Sequence, residues 1–191
     1  MQNTVIYLIG FPGVGKLTVA KQLSTRINAR IVDNQLINNP IFQLITIDDT
    51  APIPEMAWVR IGQIREVVFS AVEELPAPDL NLIFTNALIL GDPEDMSIYK
   101  RIEQVARKRN SLLVPVRLLC DVDELCKRVT SKERAEKFKL TSAETIKNKV
   151  ANEMVFEPEH PHTQTIDVTH STPDQVVDKI LALISELKDR A

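Results

Sequence analysis

The residues best suited to chemistry stand near the start of the chain. Gly10, Gly13, Gly15 and Lys16 fit the pattern G-x-x-x-x-G-K, with the apolar run Val5 to Ile9 before it and Val19, Leu23 and Ile27 at helical spacing after it. The pattern therefore falls between a strand and a helix, the context in which it binds phosphate. Glycine reaches φ > 0 without strain and has no Cβ, so a loop of this composition can turn its backbone amides inward around phosphate oxygens. The helix starting near Gly15 adds the positive end of its dipole, and Lys16 adds a full charge for the β and γ phosphates. Gly10, Phe11, Pro12, Gly13, Val14, Gly15, Lys16, Leu17 and Thr18 make up this stretch. A dinucleotide fingerprint starting at Gly13 would need its third glycine where Thr18 stands, and would have no use for Lys16.

Leu17 departs from the pattern. The residue after the lysine usually carries a hydroxyl that touches Mg²⁺, and here Thr18 comes one place late. One residue along a helix turns a side chain by about 100°, so Thr18 does not take over. A Mg²⁺ would be held through waters and other residues, with no metal ligand singled out.

Asp33 is the next group of interest. It follows the short apolar run Ala29 to Val32, and the carboxyl ends of parallel strands are where such sheets bind ligands. A carboxylate there can take a proton from an attacking hydroxyl or hold a metal-bound water. It can equally cap the helix that the sequence D-N-Q-L-I would start. Both readings stay open. Thr85 and Asn86 end the third apolar run, where many ATPases carry an acid. From Lys127 to Lys139 the chain has six basic residues against two acidic ones, in a protein whose net charge is −3. The histidines of E-P-E-H-P-H and His170 match no zinc spacing and are expected at the surface or in hydrogen bonds.

The elements that would position these groups alternate regularly. Helix 1 ends near Asn28, and residues 34–54 mix amides, apolar residues and prolines without the pattern of a long helix. A helix from Glu55 shows the stripe Trp58, Ile61, Ile64, Val68, Val72 and Leu75, interrupted by Gly62, which costs about 1 kcal/mol against Ala and hints at close packing or ligand approach. Leu80 to Thr85 reads as strand 3. Asp92 and Pro93 start a helix that the run Arg107, Lys108, Arg109 closes as a solvated end. Leu112 to Cys120 contains strand 4, its paired part expected to begin at or after Pro115. Asp121 with Glu124 and Thr141 with Glu144 read as capping pairs, Thr165 to Val168 as strand 5, and Thr172, Pro173 and Gln175 as the start of the last helix. Five strands alternating with helices, with no hairpin signal, predict a three-layer α/β/α sandwich on a parallel sheet.

Composition bounds the partners. The chain has 191 residues, 44% hydrophobic and 26% charged, enough for one domain with a sizeable core. Its mild acidity predicts a small-molecule partner, not nucleic acid, and no apolar run approaches the roughly 20 residues that span a bilayer. No secretory leader is expected. Cys120 and Cys126, without metal spacing, read as free thiols of a cytoplasmic protein.

The segment G-F-P-G-V-G-K-L-T resembles the loop of adenylate kinases and related P-loop small-molecule kinases, in which a non-hydroxyl residue also follows the lysine. The ending I-D-V-T-H-S-T-P-D-Q-V-V-D-K-I resembles that of shikimate and gluconate kinases. The resemblance covers nearly the whole chain and implies one domain over 1–191, with strand order 2-3-1-4-5. It implies an acceptor-binding segment at about 34–60 and a lid at about 128–141, from which Arg128 and Arg134 would close over the phosphates. Asp33 falls where shikimate kinases contact the acceptor hydroxyl. Asn34 and Arg60 are implied acceptor contacts, with Asn38 and Asn39 nearby, and Asn86 or Thr85 would bind a metal-bound water or the acceptor. Ser171, Thr172 and Pro173 would wall the base pocket, with Arg128 opposite. The function implied is transfer of the γ-phosphoryl group of ATP, with Mg²⁺, to a hydroxyl or phosphate of a small molecule. A nucleotide-binding regulatory protein or a slow NTPase is the alternative, suggested by Leu17 and by the missing acid after strand 3. The oligomeric state is left open.

Overall fold

The alternation of apolar runs becomes one parallel sheet. β1 (Thr4–Ile9), β2 (Ala29–Asp33), β3 (Asn81–Asn86), β4 (Leu112–Leu119) and β5 (Gln164–Asp167) lie in the order β2-β3-β1-β4-β5, as the resemblance implies. The computed structural model describes residues 3–46, 52–130 and 142–189. Among the described residues there are seven helices: α1 (Lys16–Ile27), α2 (Asn34–Phe42), α3 (Glu55–Glu74), α4 (Pro93–Lys108), α5 (Val122–Val129), α6 (Ala143–Asn152) and α7 (Pro173–Asp189).

Register decides which side chains share a face. Tyr7 pairs with Phe84 and Pro115, and Ile9 with Asn86 and Arg117. Tyr7 stacks on Tyr99 of α4 and Phe84 meets Phe69 of α3 edge-on, so these residues face the α3/α4 layer. Leu8, Thr85 and Asp33, one step out of phase, face the other layer, where α1 packs on α7. β1 and β3 are buried along their full lengths, which is why both read as unbroken apolar runs.

Four local expectations are corrected. β4 pairs with β1 from Leu112 onward, through Pro115; β5 joins β4 only from Val116, so the flank of Pro115 toward β5 carries no ladder for a missing N–H to break. The stripe of α3 is rotated: Ala57, Ile61, Arg65, Phe69 and Val72 are buried, whereas Trp58 and Leu75 are exposed. Arg109 is buried and donates to the carbonyls of Val72, Pro76, Ala77 and Leu80; it is no solvated helix end. α6 is capped by Ser142, which accepts from the Thr145 N–H at 3.1 Å. Residues 34–42, with Pro40 inside, form a short helix.

Candidate functional site

The loop 10–15 joins the end of β1 to α1. Glycine is required at three of its positions for different reasons. A Cβ on Gly10 would lie 2.5 Å from the Leu118 carbonyl oxygen, and one on Gly13 2.6 Å from Val129 Cγ1. Gly13 and Gly15 have φ of 92° and 106°, a region that side chains rarely enter. Gly10 N–H is tied to the Asn86 carbonyl at 3.3 Å and Val14 N–H to the Phe11 carbonyl at 3.3 Å, which fixes the loop against β3 and closes its first turn.

Lys16 folds back over this loop. Its Nζ donates to the carbonyl oxygens of Gly10 at 2.6 Å and Phe11 at 3.0 Å, so the ammonium stands above the turn where a phosphate would be held. Among the described helices α1 is the one that begins with neither a capping side chain nor an acidic first turn; α2, α4, α5 and α6 are capped by Asp33, Asp92, Asp121 and Ser142. A helix start of this kind suits an anion, toward which the positive end of the dipole is directed. The residues fit the triphosphate of a nucleotide. Leu17 offers no hydroxyl, Thr18 is exposed on α1, and no cluster of three metal-ligating side chains occurs among the described residues; the donor set fits a Mg²⁺ carried by phosphates and water.

Asp33 lies at the same sheet edge, two strands over from β1. It pairs in register with Thr85, which pairs with Leu8, so its backbone is about 10 Å from β1 at the strand spacing of about 4.8 Å. Its carboxylate is buried. Oδ1 accepts from the Thr85 hydroxyl at 2.5 Å and from Gln35 N–H at 3.5 Å. Capping of α2 and a place beside the phosphate loop therefore coexist in one residue. Asn86 is buried too, but strand alternation turns its side chain to the α3/α4 face, away from Asp33 and Thr85. Thr85 is the β3 residue that reaches the carboxylate, a partner that only the register between strands reveals.

The remaining expected contacts are dispersed. Arg60 is exposed on α3 and donates to Gln63 at 3.0 Å. Arg65 is buried on the opposite flank, with Nη1 3.8 Å from Glu94 and Nε unpartnered among the described residues. Burial lowers the pKa of its guanidinium, while Glu94, Tyr7 and Asp95 oppose that shift. Its place in the stripe between Ile61 and Phe69 was the signal for a buried arginine. Asn34 and Asn38 both keep a buried amide oxygen without a partner among the described residues, and Asn39 accepts from Gln35 Nε2 at 2.7 Å.

Arg128 bridges the loop and the turn after β5. Its Nε donates to Glu124 at 2.9 Å, Nη1 to the Val14 carbonyl at 3.3 Å, and Nη2 to the carbonyls of Val168 at 3.1 Å and Thr169 at 3.3 Å. In that turn Ser171 Oγ donates to the Asp167 carbonyl at 3.4 Å, and Thr172 exchanges hydrogen bonds with Gln175, which opens α7 at Pro173. Arg134 and lid residues 131–141 lie outside the described residues.

A cleft of ≈ 430 Å³ opens at the opposite edge of the sheet, lined by Glu103, Arg107, Ser111, His160 and His162 among others. It holds neither a glycine loop nor a helix start. Its imidazoles are engaged locally: His162 Nδ1 lies 3.1 Å from the Leu113 carbonyl and His160 Nδ1 accepts from the His162 N–H at 3.2 Å. Burial, then the neighbouring His162, lowers the His160 pKa.

Similarity to known proteins lies in the fold. No protein-family model and no curated protein sequence matches the chain. A gluconokinase from Sinorhizobium meliloti superposes with a TM-score of 0.63 at 13% identity, over 98% of this chain and 95% of that one. Thymidylate kinase from Candida albicans gives 0.58 at 16% identity, over 100% and 94%. Shikimate kinase from Acinetobacter baumannii gives 0.55 at 19% identity, over 97% and 94%. The chain has the fold of the P-loop small-molecule kinases.

Proposed function

We propose that this protein is an ATP-dependent phosphotransferase that moves the γ-phosphoryl group to a small molecule. The observation that carries this reading is Lys16 Nζ held over the glycine loop by the Gly10 and Phe11 carbonyls, at the uncapped start of α1. In the proposed reaction Gly10 to Thr18 bind the triphosphate, and Lys16 offsets charge that builds on the transferring group and the leaving phosphate. A bound Mg²⁺ would supply further charge neutralisation on the phosphates.

Asp33 orients the acceptor and takes its proton. Its hydrogen bond from Thr85 supports this role, because it brings to the end of β3 the carboxylate that β3 itself lacks. That same pair favours catalysis over a purely regulatory nucleotide-binding role. Arg128 holds the loop and the Ser171–Thr172–Pro173 turn in one arrangement, as a wall of the base pocket, and Arg134 closes over the phosphates. Asn34, Asn86 and one arginine of α3 contact the acceptor. On burial Arg65 is the better choice than Arg60, since a solvated guanidinium already bonded to Gln63 has less to gain from an acceptor oxygen.

Lys16→Met tests the reading. We expect unchanged circular dichroism and a loss of at least about 10²-fold in the rate of ADP formation. Full activity in this variant would refute the proposal.

A further inference from the structure

The seam between α2 and α3 has an unusual polar content. Asn34, Asn38 and Phe42 recur every four residues and so lie along one line of α2. Phe42 meets Trp58 of α3 edge-on at 5.7 Å, which directs this line at the start of α3. Asn38 is 6% exposed. The side-chain oxygens of Asn34 and Asn38 are both buried without a hydrogen-bond partner among the described residues. Asn39, off this line, is satisfied by Gln35. An unpartnered buried amide destabilises the ligand-free protein, and two of them one turn apart, beginning next to Asp33, form a series of groups awaiting partners.

The chemistry of those partners follows from the groups. A carboxylate repels a phosphate and accepts from a hydroxyl. An amide in either orientation is completed by a hydroxyl, which both donates and accepts, whereas a phosphate dianion can only accept. The arginines of α3 bring no spare charge for a phosphate, since Arg60 is bonded to Gln63 and Arg65 faces Glu94 at 3.8 Å.

We propose that the acceptor is an uncharged polyol or sugar whose reacting hydroxyl rests on Asp33 while two further hydroxyls are bound by the amides of Asn34 and Asn38. This rests on the phosphotransferase reading above and narrows it. The reacting hydroxyl oxygen forms the new O–P bond at the γ-phosphorus of ATP as the bond to the β,γ-bridging oxygen breaks. ADP leaves with that electron pair, and the hydroxyl proton passes to the Asp33 carboxylate and then to solvent.

The test uses the full chain with Mg·ATP, ADP release and ³¹P NMR, with D-glucose, D-ribose and myo-inositol as uncharged probes and AMP and dTMP as phosphate acceptors. We expect a phosphate ester of at least one uncharged probe. Asn38→Leu should raise the KM for that probe at least tenfold and leave the KM for ATP unchanged. It should also raise the melting temperature by about 2 °C or more, because it removes an unsatisfied amide. A structural asparagine would do the opposite, so a lower melting temperature with an unchanged acceptor KM overturns the inference. Transfer to AMP or dTMP in place of the uncharged probes overturns it while leaving the phosphotransferase reading intact. ATP binding that depends on Lys16 but leads to no transfer to any probe overturns it as well, and absence of such binding removes both.

Discussion

The Thr85 hydroxyl donates to Asp33 Oδ1 at 2.5 Å, between residues that are register partners on β3 and β2. Thr85→Val keeps the shape and removes the donor, leaving a buried carboxylate one hydrogen bond short. The expected loss is about 1–3 kcal/mol of stability, read as a lower melting temperature. Because the same bond aims the carboxylate, turnover should fall about tenfold while the KM for ATP stays constant. Thr85→Ser should recover most of both. A Val variant that loses stability but keeps its turnover would confine Asp33 to capping α2.

Much of the fold was legible because the deciding signals are local. The glycine loop, the runs of β1 and β3 and the Asp92–Pro93 helix start are each written in adjacent residues. Long-range partners were not. The sequence stripe through Trp58 and Leu75 differs by a small rotation from the observed one through Ala57, Ile61 and Arg65, and that rotation is set by packing against Phe84 and Arg101. It hid Arg65 and made Arg60 the visible choice. Thr85 and Asn86 differ only in which face of the sheet each presents, a matter of register. Arg109 read as the end of a charged run because the carbonyls it serves lie about thirty residues earlier in the chain.

Gly62 lies inside α3, where its place suggested close packing. A Cβ added there meets nothing within 4 Å among the described residues. Glycine in a helix interior therefore weakens α3 without compensation from a close contact. Gly62→Ala should stabilise the protein by about 0.5–1 kcal/mol through the reduced entropy of the unfolded chain. A denaturant titration should show a higher midpoint with an unchanged slope; a lower midpoint would mean that the acceptor segment needs this glycine.

Arg109 replaces the cap that α3 lacks. That helix has no basic residue in its last turn and ends at Leu75, with no glycine. Arg109 Nη1 donates to Val72 at 3.1 Å and Pro76 at 3.3 Å, and Nη2 donates to Ala77 at 2.8 Å and Leu80 at 3.4 Å. Arg109→Ala removes this donor from all four carbonyls, of which Ala77 keeps the Leu80 N–H at 3.0 Å, and should cost about 2–4 kcal/mol. Lysine, a point charge on a flexible stem, cannot serve four acceptors at once, so Arg109→Lys should recover less than half of that loss. Thermal melts of the two variants decide this.

Asp95 should make stability depend on pH in a direction opposite to most carboxylates. Burial pushes its pKa up from 3.8 to about 6; Asp92 and Glu94 add to the rise, while the Ile89 N–H and Lys149 oppose it. Between about pH 4 and 6 the folded protein binds this proton more tightly than the unfolded chain does, so this residue's contribution falls as pH rises through that window and stays low above it. The full shift would correspond to nearly 3 kcal/mol, but the carboxyl is half-buried and screened, and about 1 kcal/mol is the realistic size. Asp95→Asn keeps an oxygen to accept the Ile89 N–H, which Asp95 Oδ2 now holds at 2.7 Å, and removes the charge. The variant should match the native protein near pH 4 and exceed it by about 1 kcal/mol at pH 7.5, with the difference opening between those values. Taking the difference between the two proteins cancels every titrating group that is not coupled to Asp95. A gap that stays constant from pH 4 to 7.5 would show that Asp95 is ionised in the fold throughout, with its burial offset by the Ile89 amide and Lys149.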